Sequence, residues 1–198
     1  MVRLGVKDWA GMGAALAALA AAGPAHAGVA EARFGVMAHN ICATYCDNSN
    51  KEDGPAVELQ LSFDTPGLLA WAGAPQPYAI ASVNLSGDTS FAGVGLEWRW
   101  DLSQNWSIEP GVGYVAHDGA TNLPFASGSP QAAAFTEENV LLGSRDLFRL
   151  SLGVTRELAG PWQAQLFFSH LSHGQILGKG RNQGMDQVGI RFGYRFGD

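Results

Sequence analysis

The chain is short of positive charge, of cysteine and of long apolar runs, and each shortage removes a class of protein. Its 12 Lys and Arg are outnumbered by 18 Asp and Glu, giving a formal net charge of −6. Binding to a nucleic-acid duplex calls for a basic patch, and none is visible, so no nucleic-acid partner is expected. Beyond residue 27 no stretch is long and apolar enough for a transmembrane helix, which takes about 20 residues. If the remaining chain enters a membrane it must do so as a closed barrel, because only a barrel satisfies the backbone groups of strands in lipid. Glycine is plentiful, at 26 of 198 residues, but without the period of collagen. The two cysteines, Cys42 and Cys46, lie in ICATYCDNSN. In an exported protein two thiols so close in a loop are expected to form a local disulfide. A metal site would need further ligands, and the nearest histidine is the lone His39, so neither a metal nor another cofactor is expected.

What is present begins with an export signal. Arg3 and Lys7 precede the apolar run GMGAALAALAAA, and Ala25-His26-Ala27 closes it with a small-x-small pattern. A basic start, a short apolar core and such an exit describe a secretory signal peptide, here residues 1–27 with cleavage after Ala27. Without Arg3, Lys7 and Asp8 the 12 basic and 18 acidic residues fall to 10 and 17, a net charge of −7. Residues 28–198 are enough for one domain.

Along this domain apolar and polar residues alternate with the period of two that marks strands. The last segment sets Val188, Ile190, Phe192, Tyr194 and Phe196 against Gln187, Gly189, Arg191, Gly193 and Arg195. Phe148–Val154, Val94–Trp100 and Trp106–Tyr114 alternate similarly. One face is apolar and aromatic; the other mixes glycine with Arg and Glu, as inside a small barrel, where charges pair across the lumen and glycine relieves crowding. Trp98, Trp100, Trp106, Trp162, Tyr194 and Phe196 fall near segment ends and suit interfacial girdles. The fold class expected is all-β, an eight-stranded antiparallel transmembrane β-barrel. Its strands are placed at about 31–39, 55–64, 77–86, 90–101, 105–116, 146–157, 161–172 and 185–196. Short turns such as 158–161 and 102–105 face the periplasm, and the links 40–54, 117–145 and 173–184 face outward. The link 65–76 is long for a periplasmic turn.

Chemistry concentrates in FFSHLSHG, residues 167–174. A serine hydroxyl is a weak nucleophile until a neighbouring base takes its proton. Residues two apart on a strand share a face, so His170 and Ser172 project side by side. A carboxylate best orients the histidine, and Asp186 opens the following strand. In strand seven Trp162, Ala164, Leu166 and Phe168 mark the even positions as lipid-facing. His170, Ser172 and Asp186 are also even, which places all three on the outer wall, where polar groups are costly and functional by default. An alternative is that the His and Ser only hydrogen-bond lipid headgroups. His117 is more simply the end of strand five than a second base. Arg145, Arg149 and Arg181 are open between lipid phosphates and acidic neighbours.

The segments GVMAHN (35–40), SGDTS (86–90), LGSRDLFR (142–149), SHLS (169–172), NQGMD (182–186) and GYRF (193–196) together resemble the lipid A 3-O-deacylase (acyloxyacyl hydrolase) family, across nearly all of residues 31–196. The resemblance implies an eight-stranded outer-membrane barrel with a Ser-His-acid triad on its lipid-facing surface. His170 matches the family's base and Ser172 its nucleophile. Two positions depart from the pattern. The acid is glutamate in the best-known members and Asp186 here, and the asparagine that usually follows the serine is His173. A histidine there can still donate a hydrogen bond to an oxyanion.

The expected function is that of a serine carboxylic-ester hydrolase that removes the 3-position ester-linked acyl chain from lipid A of lipopolysaccharide. The expected partners are lipid A or lipopolysaccharide as substrate and the surrounding outer-membrane lipid, with a homodimer left open. A non-catalytic structural or lipid-binding outer-membrane barrel is the rival. The cysteine loop is expected to lie apart from the triad.

Overall fold

The computed structural model describes residues 28–41, 43–44 and 51–196. The expected signal peptide, with its cleavage site, and both Cys42 and Cys46 lie outside the described residues. Nine strands run in chain order: β1 (Val29–Ala38), β2 (Pro55–Phe63), β3 (Gln76–Asn84), β4 (Phe91–Glu97), β5 (Trp100–Ser103), β6 (Trp106–His117), β7 (Asp146–Glu157), β8 (Trp162–Ser172) and β9 (Met185–Arg195). Every paired neighbour is antiparallel, and β1 pairs with β9, closing the sheet. β4 and β5 both pair with β6 and together make one stave, so the barrel has eight.

That fourth stave was expected to run unbroken over 90–101. Its register on β6 continues across the break, from Glu97 opposite Gly111 to Trp100 opposite Ile108. The residue facing the gap is Pro110. Its carbonyl accepts from Trp98 N at 2.9 Å, but it has no N–H to return, so the ladder loses a rung. Trp98 was expected in the aromatic girdle; its indole Nε1 instead donates to Ala72 O at 2.8 Å. The tie pins the long 64–75 link, which winds into a 3-10 turn at Gly67–Ala72. The girdle keeps Trp162, Tyr194 and Phe196, whose rings contact one another in sequence at 5.0 and 5.2 Å.

The wall is the inverse of a soluble core. On β8 the odd residues Gln163, Gln165, Phe167, Ser169 and Leu171 are buried, while Trp162 and Leu166 are exposed. Ile190 is 57% exposed and its neighbour Arg191 0%. Apolar side chains cover the outside and charged ones fill the lumen, as membrane barrels require. Inside, Arg191 donates to Glu58 at 2.9 Å, Gln60 at 2.8 Å and Gln165 at 2.7 Å. Arg33 meets Glu31, Glu97 and Glu109. Phe167 is contacted by both Arg191 and Arg149, their guanidinium carbons 3.4 and 4.9 Å from the ring centroid. Pairing of this kind is what makes buried charge tolerable. Gly95 shows where crowding forbids a side chain: a Cβ there would lie 2.3 Å from Val112 O and 2.4 Å from Tyr78 Oη.

The two ends of the lumen differ. At the end where β1 begins and β9 ends, a polar cavity of about 720 Å³ is lined by Glu31, Glu97, Arg99, Glu157 and Arg195 among others. The opposite end is filled by Phe91, Val115, Val140, Leu142, Leu147, Leu171 and Met185. Val140 and Leu142 come from the 118–145 link, which also carries the helix α1 (Pro130–Glu138). That helix was not expected from periodicity. It is capped locally, with the Ser129 side chain accepting from Ala132 N and Pro130 in the first turn, a strong start signal.

Candidate active site

The site is built on the β8–β9 hairpin at the end of the barrel where β8 finishes and β9 begins. The register sets His170 directly opposite Asp186. His170 Nδ1 lies 2.6 Å from Asp186 Oδ1, a hydrogen bond in which Nδ1 carries the proton because a carboxylate oxygen can only accept. With Nδ1–H committed to the carboxylate, Nε2 is the ring's remaining acceptor. Gly184 makes room for this ring. It sits at φ +67, and a Cβ on it would come within 3.0 Å of His170 Cε1.

His170 and Ser172 share the parity of the exposed Trp162 and Leu166, and both are partly exposed. Across the β7–β8 ladder their partners are Leu150 for His170 and Phe148 for Ser172. The Ser172 hydroxyl makes no hydrogen bond to the ring here; such pairs often tighten only when substrate binds.

Asp186 also continues the outer parity but is only 3% exposed, because the segment after β1 folds over it. Ile41 N donates to Asp186 O at 2.9 Å. Thr44 N donates to Oδ2 at 2.8 Å and the Thr44 hydroxyl donates to the same oxygen at 2.7 Å. Thr44 Oγ1 also lies 3.3 Å from His170 Nδ1. The expectation that the cysteine loop lies apart from His170 and Asp186 is therefore overturned: Ile41 and Thr44, on either side of Cys42, touch the acid. Nothing in the local pattern of the loop announces this contact, which spans 142 residues of sequence.

His173 is placed differently from the other three. It is fully buried on the inward parity. Its Nδ1 accepts from Gln175 N at 3.1 Å and its Nε2 donates to Arg181 O at 3.1 Å. Both ring nitrogens thus hold the 173–184 loop together, and neither is free for an oxyanion. His117 ends β6 as expected, turned inward with Nε2 2.6 Å from Ser144 O. Arg149 is resolved too: it lies in the lumen beside Tyr78 and Glu58. Among the described residues no cluster of His, Cys, Asp and Glu could hold a metal ion.

A closed antiparallel barrel with an apolar outer wall and a lumen of paired charges is a membrane barrel. The family described as lipid A 3-O-deacylase (PagL) matches residues 78–195; the chain belongs to that family. Among solved structures it is similar to the crystal structure of the outer membrane enzyme PagL, with TM-score 0.56 and 16% identity, covering 84% of this chain and 100% of that one. The Yersinia pestis outer membrane protein Ail gives a TM-score of 0.42 at 8% identity, covering 84% and 99%. No curated protein sequence matches.

Proposed function

We infer that this protein is an outer-membrane lipid A 3-O-deacylase that works as a serine esterase from the lipid-facing side of its wall. Family membership supports the deacylation. The observation that carries the mechanism is the 2.6 Å contact between His170 Nδ1 and Asp186 Oδ1 on the parity shared with Ser172.

In this reading His170 Nε2 takes the proton of Ser172 as its Oγ attacks the ester carbonyl. The tetrahedral intermediate collapses, the bond between the acyl carbon and the sugar's 3-oxygen breaks, and His170 gives the proton to that oxygen, which leaves as the 3-hydroxyl. Water then repeats the sequence on the acyl-enzyme and releases the fatty acid. Asp186 holds the Nδ1–H tautomer and stabilises the imidazolium that forms twice in the cycle. The exposed Leu150 and the neighbouring Phe148 lie beside the pair, so an acyl chain still in the bilayer reaches the serine without crossing the polar lumen. The lumen is filled by Arg33, Arg149 and Arg191 with their partners, which favours this reading over a transport barrel.

Mass spectrometry of lipid A from cells that express the full chain tests the proposal. The expected result is loss of one hydroxyacyl unit, abolished by Ser172→Ala or His170→Ala in protein that still folds. A parental lipid A pattern with the intact chain would favour the non-catalytic barrel. Full deacylation by Ser172→Ala would overturn the mechanism.

A further inference from the structure

Asp186 is held by more than the histidine. Of its two carboxyl oxygens, Oδ1 faces His170, and Oδ2 receives both the Thr44 amide at 2.8 Å and the Thr44 hydroxyl at 2.7 Å. The Ile41 amide fastens the backbone carbonyl of the same residue at 2.9 Å. A carboxylate engaged on both oxygens cannot turn about its χ angles without breaking several hydrogen bonds at once. Two donors on Oδ2 leave that oxygen purely an acceptor, so the proton shared with His170 stays on the Oδ1 side. The same loop excludes water: Asp186 is 3% exposed although its parity points it outward. His170, by contrast, keeps a side chain that is 23% exposed, open to a substrate.

We propose that Thr44 is a positioning residue of the deacylase: its hydroxyl and amide clamp Asp186 Oδ2 so that Oδ1 holds the His170 ring in the orientation that accepts the Ser172 proton. The inference rests on the triad reading given above. The clamp is supplied by the segment after β1, whereas His170, Ser172 and Asp186 come from the last hairpin. Closure of the barrel through the β1–β9 ladder, with Ala38 opposite Val188, brings the two together. The position of Thr44 and the activity of the site are thereby linked, with Thr44 acting through the acid and not on the ester.

The test uses the mature barrel refolded in phospholipid vesicles that contain lipopolysaccharide, with released fatty acid measured. Thr44→Val removes the hydroxyl and keeps the shape and the amide. Thr44→Ser restores the hydroxyl. Loss of one hydrogen bond to a charged group corresponds to about a 10- to 100-fold change. The expected result is a fall of that size in kcat for Thr44→Val with KM little altered, and recovery to within about threefold in Thr44→Ser. In an Asp186→Asn background Thr44→Val is expected to add no further loss, since the group it acts through is already gone. Heat-modifiable gel mobility checks that each variant folds, and Thr44→Ala makes the same comparison if the valine variant does not. Thr44→Val activity within twofold of the parent overturns the proposal, and so does an equal loss in both backgrounds, which would make Thr44 only a loop anchor. Failure of the underlying triad is read separately, as parental activity in Asp186→Asn or Ser172→Ala.

Discussion

Replacing Asp186 by asparagine changes one atom in a site whose hydrogen bonds dictate how that atom must lie. The two Thr44 donors at 2.7 and 2.8 Å both demand an acceptor, so the amide oxygen takes the Oδ2 position and the NH2 takes that of Oδ1. The NH2 then faces His170 Nδ1 at 2.6 Å. Two donors cannot share that distance, so the ring shifts its proton to Nε2, the nitrogen that must accept from Ser172. The reverse orientation sets the NH2 against both Thr44 donors and is no better. The expected penalty is that of a triad histidine held in the wrong tautomer, about 10³- to 10⁴-fold in kcat, equivalent to about 4–5.5 kcal/mol of transition-state stabilisation. The assay is initial-rate release of fatty acid from lipopolysaccharide in vesicles, with gel mobility as the check on folding. Retention of more than about a tenth of the parental rate would refute both the assignment of the acid and the account of its clamp.

Two further expectations follow from the lumen and the loops. Arg191→Ala should destabilise the barrel by about 3–5 kcal/mol, the cost of leaving buried partners without their charge, because Glu58, Gln60 and Gln165 all depend on it; an unchanged urea midpoint in vesicles would count against the network. Glu52, outside the strands, is buried, which raises its carboxyl, but the nearby His39 and the amides of Thr89 and Val140 together hold it below the ordinary value. Its stabilising contribution is therefore complete above about pH 4.5 and is lost as pH falls below that through the folded value. Asp88 beside it is shifted upward by burial and then by the charge of Glu52, and so works in the opposite sense. Protease resistance of the outer loops should fall in acid, and Glu52→Gln should remove that dependence; an identical acid limb in the variant would rule Glu52 out as its source.

Much of the architecture was legible in the sequence, and the reason is periodicity. A strand with lipid on one side and a charged lumen on the other must alternate with period two, so β8 and β9 could be placed within a residue and their faces assigned from Trp162, Leu166, Ile190 and Phe192. The same parity put His170, Ser172 and Asp186 on one face, and the β8–β9 register sets His170 opposite Asp186. Features set by contacts between distant segments were not legible. The break between β4 and β5 depends on Pro110 standing across the ladder. The apolar filling of the loop end takes Val140 and Leu142 from a link that shows no strand pattern. His173, one residue beyond Ser172, takes the inward face that alternation implies, but that its ring would be spent there on Arg181 O and Gln175 N, carbonyl and amide of the following loop, was not legible either. Thr44 is the strongest case. Its part in the site exists only because closure through β1 and β9 carries a loop onto an aspartate 142 residues away. Local patterns record which face a side chain takes; which partner waits there is decided by the closed sheet.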